Sequence, residues 1–128
     1  MCGLCGWIAP RALPVCDLAA MNTAAAHRGP DGEGYFVHNG DTTTGRFTDR
    51  LSEMSMDATV ALGHRRLAIL DLSPAGAQPM ASPDRRQWMV LNGEIYNYIE
   101  LRTELRKAGH RFSTSTDTEV VPDDANVE

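Results

Sequence analysis

A chain of 128 residues with 42% hydrophobic and 23% charged side chains has room for one domain with a sizeable core, which excludes a fibre or wholesale disorder. Twelve basic against seventeen acidic side chains give a net charge of −5, and no Lys/Arg cluster runs longer than pairs such as Arg65-Arg66, so nucleic acid as a partner has no electrostatic footprint. No apolar stretch approaches membrane-spanning length, and an odd number of cysteines behind no secretory signal fits free thiols in a reducing cytoplasm.

The chain opens on the apolar run Trp7-Ile8-Ala9, read as a strand, with a turn at Pro10 and Pro14. Val15, Leu18, Met21 and Ala25 recur at helical spacing and predict a helix over 15–27, stopped by Gly29-Pro30. Asp31-Gly32-Glu33-Gly34 reads as a turn, Tyr35-Phe36-Val37 as a strand and Asn39-Gly40 as a hairpin signal. Residues 41–58 are polar and irregular, hence a loop. Buried-type strands follow at Val60–Gly63, running towards Leu67–Leu70, and at Trp88–Leu91 across a Pro/Gly-rich connection. Asn97 with Glu100 has capping spacing, and Leu101, Leu105 and Ala108 then form one apolar helix face ending at Gly109. His110–Thr114 reads as a strand. Thr116 and Glu119 are spaced as a second capping box, but Pro122 then interrupts the helix they begin. Strands and helices mix without βαβ alternation, which indicates an α+β fold.

Cys2 follows Met1 and precedes Gly3. An initiator Met is removed when the next side chain is small, and its loss here leaves one residue carrying both a thiol and a free α-amine. An α-amine titrates near neutrality, so nucleophile and base come preassembled. Two plainer readings stand beside this one: a second codon can encode Cys without purpose, and Cys2 with Cys5 makes a C-x-x-C pair of the redox or zinc type. Cys16 is the only other thiol and no H-x3–5-H pair exists, so no metal site is expected.

Asn92-Gly93-Glu94 follows an apolar strand, where an Asn amide and a backbone N–H could serve as oxyanion donors, although Asn-Gly is also an ordinary turn dipeptide. Arg65 and Arg66 lie in a run otherwise buried by pattern. One of them can offer a carboxylate clamp, with a surface-directed side chain as the plainer alternative. Asp117 can bind an ammonium group or simply complement a helix dipole. His27 and His64 can assist or be structural, and Arg28-Gly29-Pro30-Asp31 reads as a rigid turn with an internal ion pair.

Taken in order, Cys2-Gly3, His27-Arg28-Gly29-Pro30-Asp31-Gly32, Gly63-His64-Arg65-Arg66-Leu67-Ala68-Ile69-Leu70-Asp71 with Gly76-Ala77-Gln78-Pro79-Met80, Leu91-Asn92-Gly93-Glu94-Ile95-Tyr96-Asn97 and Asp117-Thr118-Glu119-Val120 resemble the glutaminase domain of glutamine-hydrolysing asparagine synthetases, class II glutamine amidotransferases. The resemblance covers roughly residues 2–121. It implies the N-terminal-nucleophile hydrolase fold, an αββα sandwich, and hydrolysis of L-glutamine to glutamate and ammonia. By it, Cys2 attacks the side-chain amide through a thioester, with its own α-amine as base. Asn92 and the N–H of Gly93 correspond to the oxyanion hole, Arg66 to the grip on the α-carboxylate, and Glu94 and Asp117 to residues near the α-amine. The glutaminase step needs no cofactor; ATP and Mg belong to a separate synthetase domain, the partner of this one. The alternative implied is a non-catalytic module of the same fold that binds glutamine or a partner chain.

The chain departs from the family at Cys5, a second thiol in the opening strand, and at its end. The expectation is a truncated chain: a partial amidotransferase domain at 1–121, incomplete at its C-terminus, and an acidic tail at 122–128, with the synthetase domain absent and activity in doubt.

Overall fold

A computed structural model describes residues 1–40, 46–48, 51, 55–69 and 71–124, and at 46–48 and 123–124 the backbone alone. The opening run forms β1 (Gly3–Pro14), which continues through both prolines. Instead of the expected turn there is a break in register between Ile8 and Leu13, a bulge against the neighbouring strand. β1 lies at a sheet edge, where a missing proline N–H can face away from the ladder.

Helix α1 (Val15–Ala24) is shorter than the 15–27 expected, because the chain tightens into a 3₁₀ turn at Ala26–Arg28. β2 (Gly32–His38) begins earlier than expected: Gly32, Glu33 and Gly34 pair with Arg66, Arg65 and His64, so the supposed turn is ladder. β3 (Arg46–Thr48) lies antiparallel to β2 with Phe47 opposite Phe36, which makes the hairpin signalled by Asn39-Gly40, over a connection longer than two residues. The rest of the loop expected over 41–58 falls partly outside the described residues, and its end, from Asp57, is already strand. β4 (Asp57–Arg66) stops at Arg66; Leu67–Ile69 are not strand, and Leu70 lies outside the described residues.

The sheet order is β1-β4-β2-β3, antiparallel throughout, with β4 central. Period-two alternation sorts its side chains. Cys5, Trp7, Tyr35, Val37 and Ala61 face α1 and pack with Val15, Leu18 and Ala58, while Phe36 points the other way. Burying each large apolar side chain here contributes about 1.5–3 kcal/mol. On the far side, Phe36 stacks on Trp88 with ring centroids 4.8 Å apart. Trp88 belongs to β6 (Trp88–Met89), which pairs with β5 (Met80–Ala81) as a small ribbon on the face away from α1. The fold is therefore α+β.

α2 (Tyr98–Lys107) forms as expected, but Asn97 makes no side-chain cap bond. Its buried face is Arg102 and Leu105, while Ala108 is exposed. Gly109 ends it in the left-handed region at φ 102°, where glycine carries no Cβ penalty. His110–Thr114 is not a strand. Glu119 does not cap a helix either: its carboxylate accepts the N–H and hydroxyl of Ser113 and of Thr114. α3 (Val120–Asp124) includes Pro122. The proline sits in the first turn, where the lost N–H has no intrahelical partner to lose, so the expected interruption does not occur. Among the described residues no helix is long and apolar enough to cross a membrane.

Candidate active site

On the face of the sheet away from α1, a cavity of about 340 Å³ opens at the end of β4. Cys2, Arg66, Asn92, Gly93, Glu94 and Asp117, the residues singled out from the sequence, all line it, and Met1, His64, Gln78 and Thr118 share its wall. Four stretches of chain far apart in sequence thus meet at one place.

Strand alternation resolves the paired arginines. Arg65 faces α1, where its Nε donates to the Asn22 carbonyl and its guanidinium pairs with Glu33 at 2.9 Å. Arg66 therefore turns to the cavity, its Nη1 donating to the Ser73 carbonyl at 2.6 Å and its Nη2 to the Asp71 carbonyl. Gly76 makes that placement possible, since a Cβ there would lie 2.6 Å from Nη2. Asp71 in turn accepts from Ser73 and Ser115; its bonds from the Ser73 hydroxyl and N–H, then those from Ser115, bring its carboxyl from 3.8 to about 2.

The Cys2 thiol sits against Leu67: Sγ accepts the Leu67 N–H at 3.3 Å and lies 3.6 Å from the Leu67 carbonyl. The Cys2 carbonyl is held by Arg28 Nε at 3.2 Å. The Arg28–Asp31 turn is thus not closed by an ion pair between its ends. Arg28 grips Cys2, while Asp31 receives the Ala68 N–H on its carboxylate and donates its own N–H to the Arg66 carbonyl. Gly29 lets this turn press on β4, where a Cβ would come within 2.4 Å of the Arg65 backbone. The turn therefore fixes Cys2 and residues 66–68 in one frame.

Cys5 takes no part in the cavity. Its Sγ lies 3.8 Å from Asn22 Oδ1, on the α1 side, and burial pushes its thiol up against a smaller opposing pull from Arg65. That makes it a poor nucleophile near neutrality. Among the described residues no group of three or more His, Cys, Asp or Glu side chains is placed to hold a metal.

Asn92 is half-buried, and Gly93 and Glu94 are exposed at the cavity. Asp117, only 5% exposed, anchors this loop: its Oδ2 accepts the Ile95 N–H at 2.7 Å, and its Oδ1 accepts the hydroxyls of Thr116 and Thr118. A carboxylate has about four acceptor sites, so these bonds leave room for a further donor.

Of the two histidines considered, His27 lies at the surface on the Ala24 carbonyl, away from the cavity. His64 is in its wall, 1% exposed, with neither ring nitrogen hydrogen-bonded. Burial lowers its pKa; the nearby Leu91 carbonyl, outside hydrogen-bond geometry, opposes this in part, Arg66 adds a smaller lowering, and the neutral ring is favoured.

Sequence reasoning gave no role to the residues that fix the outer wall. Arg102 donates to the carbonyls of Thr114 and Thr116, lies over the Phe112 ring and pairs with Glu119 at 3.6 Å. This ties α2 to the segment carrying Asp117. Gln78 ties Leu91 to Thr118. Its sequence signal was membership of the motif stretch Gly76-Ala77-Gln78-Pro79-Met80, where it is an amide among small and apolar residues, with no role assigned to it.

With this geometry, comparison with known proteins is decisive for the class. Residues 44–124 match the family of the glutamine amidotransferase domain, and the chain belongs to that family. The match contains Arg66, Asn92, Gly93, Glu94 and Asp117 but not Cys2. The chain is 43% identical over 101 residues, 79% of its length, to asparagine synthetase [glutamine-hydrolyzing] 1 of Bacillus subtilis, covering 13% of that protein. It is 38% identical over 119 residues, 82% of its length, to putative asparagine synthetase [glutamine-hydrolyzing] 2 of Methanocaldococcus jannaschii, covering 20% of it. Glutamine--fructose-6-phosphate aminotransferase [isomerizing] of Thermococcus kodakarensis is 32% identical over 131 residues, 94% of this chain and 21% of that protein. The chain thus spans about a fifth or less of the length of these relatives.

Proposed function

We propose that this domain hydrolyses L-glutamine to glutamate and ammonia at Cys2. The support is the convergence of Cys2, Arg66, Asn92, Gly93, Glu94 and Asp117 on one cavity in a chain of the glutamine amidotransferase family. Loss of Met1 frees the Cys2 α-amine. The amine takes the thiol proton, Sγ attacks the side-chain carbonyl carbon, and the oxyanion that develops is met by the Asn92 amide and the Gly93 N–H. The proton passes to the leaving nitrogen, the C–N bond breaks and ammonia departs. Water, deprotonated by the same amine, then attacks the thioester and releases glutamate and the thiol. Arg66 holds the α-carboxylate, while Glu94 and Asp117 face the α-ammonium, so a zwitterion meets a cation at one end and anions at the other. Ammonia from this site supplies a synthetase domain of the asparagine-synthetase type, where ATP and Mg are used.

For the architecture, we infer an αββα sandwich: α1, the four-stranded sheet, the layer begun by β5 and β6, and α2. What supports this is the stacking of Phe36, from the four-stranded sheet, on Trp88 of β6.

The test is glutamine-dependent ammonia release by protein whose intact mass shows Met1 removed. Cys2→Ala is expected to lower it by at least about a thousandfold. Hydrolysis undiminished in Cys2→Ala, or carried out by protein that retains Met1, overturns the mechanism. Glutamine binding without turnover in the processed protein selects the non-catalytic module instead.

A further inference from the structure

Residues 91–95, which carry the proposed oxyanion donors, lie between β6 and α2 and belong to no helix or ladder. Two buried side chains hold the two ends of this span. At one end the Leu91 N–H donates to Gln78 Oε1 at 2.6 Å; at the other the Ile95 N–H donates to Asp117 Oδ2 at 2.7 Å. The two holders are themselves joined. Gln78 Nε2 donates to Thr118 Oγ1 at 3.4 Å, and the Thr118 hydroxyl donates to Asp117 Oδ1 at 3.4 Å. An N–H can only donate, so the atom facing Leu91 must be the amide oxygen, and the amide orientation is fixed by chemistry.

We propose that Gln78 is a positioning residue for the oxyanion hole: through Leu91 it sets where the Asn92 amide and the Gly93 N–H stand relative to Cys2. The inference rests on the catalytic reading above. Gln78 is 7% exposed and lines the cavity. The amide meets both demands of this place without burying a charge, an acceptor for Leu91 and a donor for Thr118. A hydrocarbon of the same shape leaves the Leu91 N–H unpaired and frees that end of the loop. Asp117 then holds Ile95 alone, and a loop held at one end can place its donors off the position that a developing oxyanion occupies.

The aldehyde analogue of glutamine, L-glutamate γ-semialdehyde, tests this. The Cys2 sulfur bonds to the aldehyde carbon, the carbonyl π pair moves to oxygen, and the thiol proton ends on that oxygen, giving a hemithioacetal whose oxygen occupies the hole. In Met1-processed protein, Gln78→Met is expected to weaken this adduct by about tenfold, while affinity for glutamine itself, measured in a Cys2→Ala background, stays within about twofold. Equal adduct affinity in Gln78→Met overturns the assignment, as does equal weakening for aldehyde and glutamine. Failure of the unsubstituted protein to form any adduct overturns the catalytic reading, and the role of Gln78 with it. Should Gln78→Met not fold, Thr118→Val removes the Nε2 partner at nearly constant shape. Because the Thr118 hydroxyl also donates to Asp117, the adduct is expected to weaken by about threefold more than glutamine binding does, and equal weakening of the two overturns the proposal.

Discussion

On the α1 side of the sheet, Val15, Leu18, Tyr35, Val37, Ala58 and Ala61 bury apolar surface against one another, and the backbone is satisfied by ladder. On the cavity side, residues 110–119 have almost no regular structure, and their backbone is held by side chains: Glu119 on Ser113 and Thr114, Arg102 on Thr114 and Thr116, Asp71 on Ser115. The first region is built from area removed from water, which is non-directional and tolerant. The second is built from directed polar bonds, strong only when complete. It is the second that faces the site.

The contrast can be broken from either side. Leu18→Ala empties a fully buried position and is expected to cost about 2–5 kcal/mol, read as a lowered urea midpoint for the whole domain. Glu119→Gln is expected to cost less, about 1–3 kcal/mol, and to act locally: hydrogen exchange rises at 113–119 and in α2 while β4 stays protected. Uniform loss of protection would show that the two regions are one cooperative unit.

Acid sharpens the same comparison. Burial alone raises the Glu119 pKa, but the bonds from Thr114 and Ser113 outweigh it and leave the net value below 4.5. A carboxylate depressed in the fold stabilises it above its unfolded pKa, and that contribution is lost as pH falls through the folded value. Exchange at 113–119 is therefore expected to rise as pH falls below 4.5 and through the depressed folded value, and Glu119→Gln to flatten that rise. Asp71 acts lower, between 3.8 and about 2, and Asp71→Asn is expected to remove a smaller step there, seen at residues 71–73 and 115. Smallest of all, Ile8→Thr, at an 85% exposed position, is expected to change stability by less than about 0.5 kcal/mol.

The sequence was legible where apolar periodicity governs. α1, α2, the core of β2 and most of β4 follow from it; the choice of Arg66 over Arg65 came from the resemblance, and strand alternation in the structure accounts for it. It misled where side chains replace ladder. His110–Thr114 has strand composition, yet the amides of Ser113 and Thr114 are taken by Glu119, and the spacing of Thr116 and Glu119 imitates a cap that does not form. The candidate site was legible through ordered motifs, whereas Gln78 and Arg102 act by long-range bonds that leave no periodic trace.

Among the described residues, Arg28 and Leu67 hold Cys2 by bonds to its carbonyl and its thiol, downstream of the Met1–Cys2 peptide bond, and Met1 is 77% exposed. An aminopeptidase acting on the finished fold can therefore clip Met1 without disturbing any of them. On the proposed mechanism, the amine of Cys2 is freed by a single hydrolysis that breaks none of these bonds.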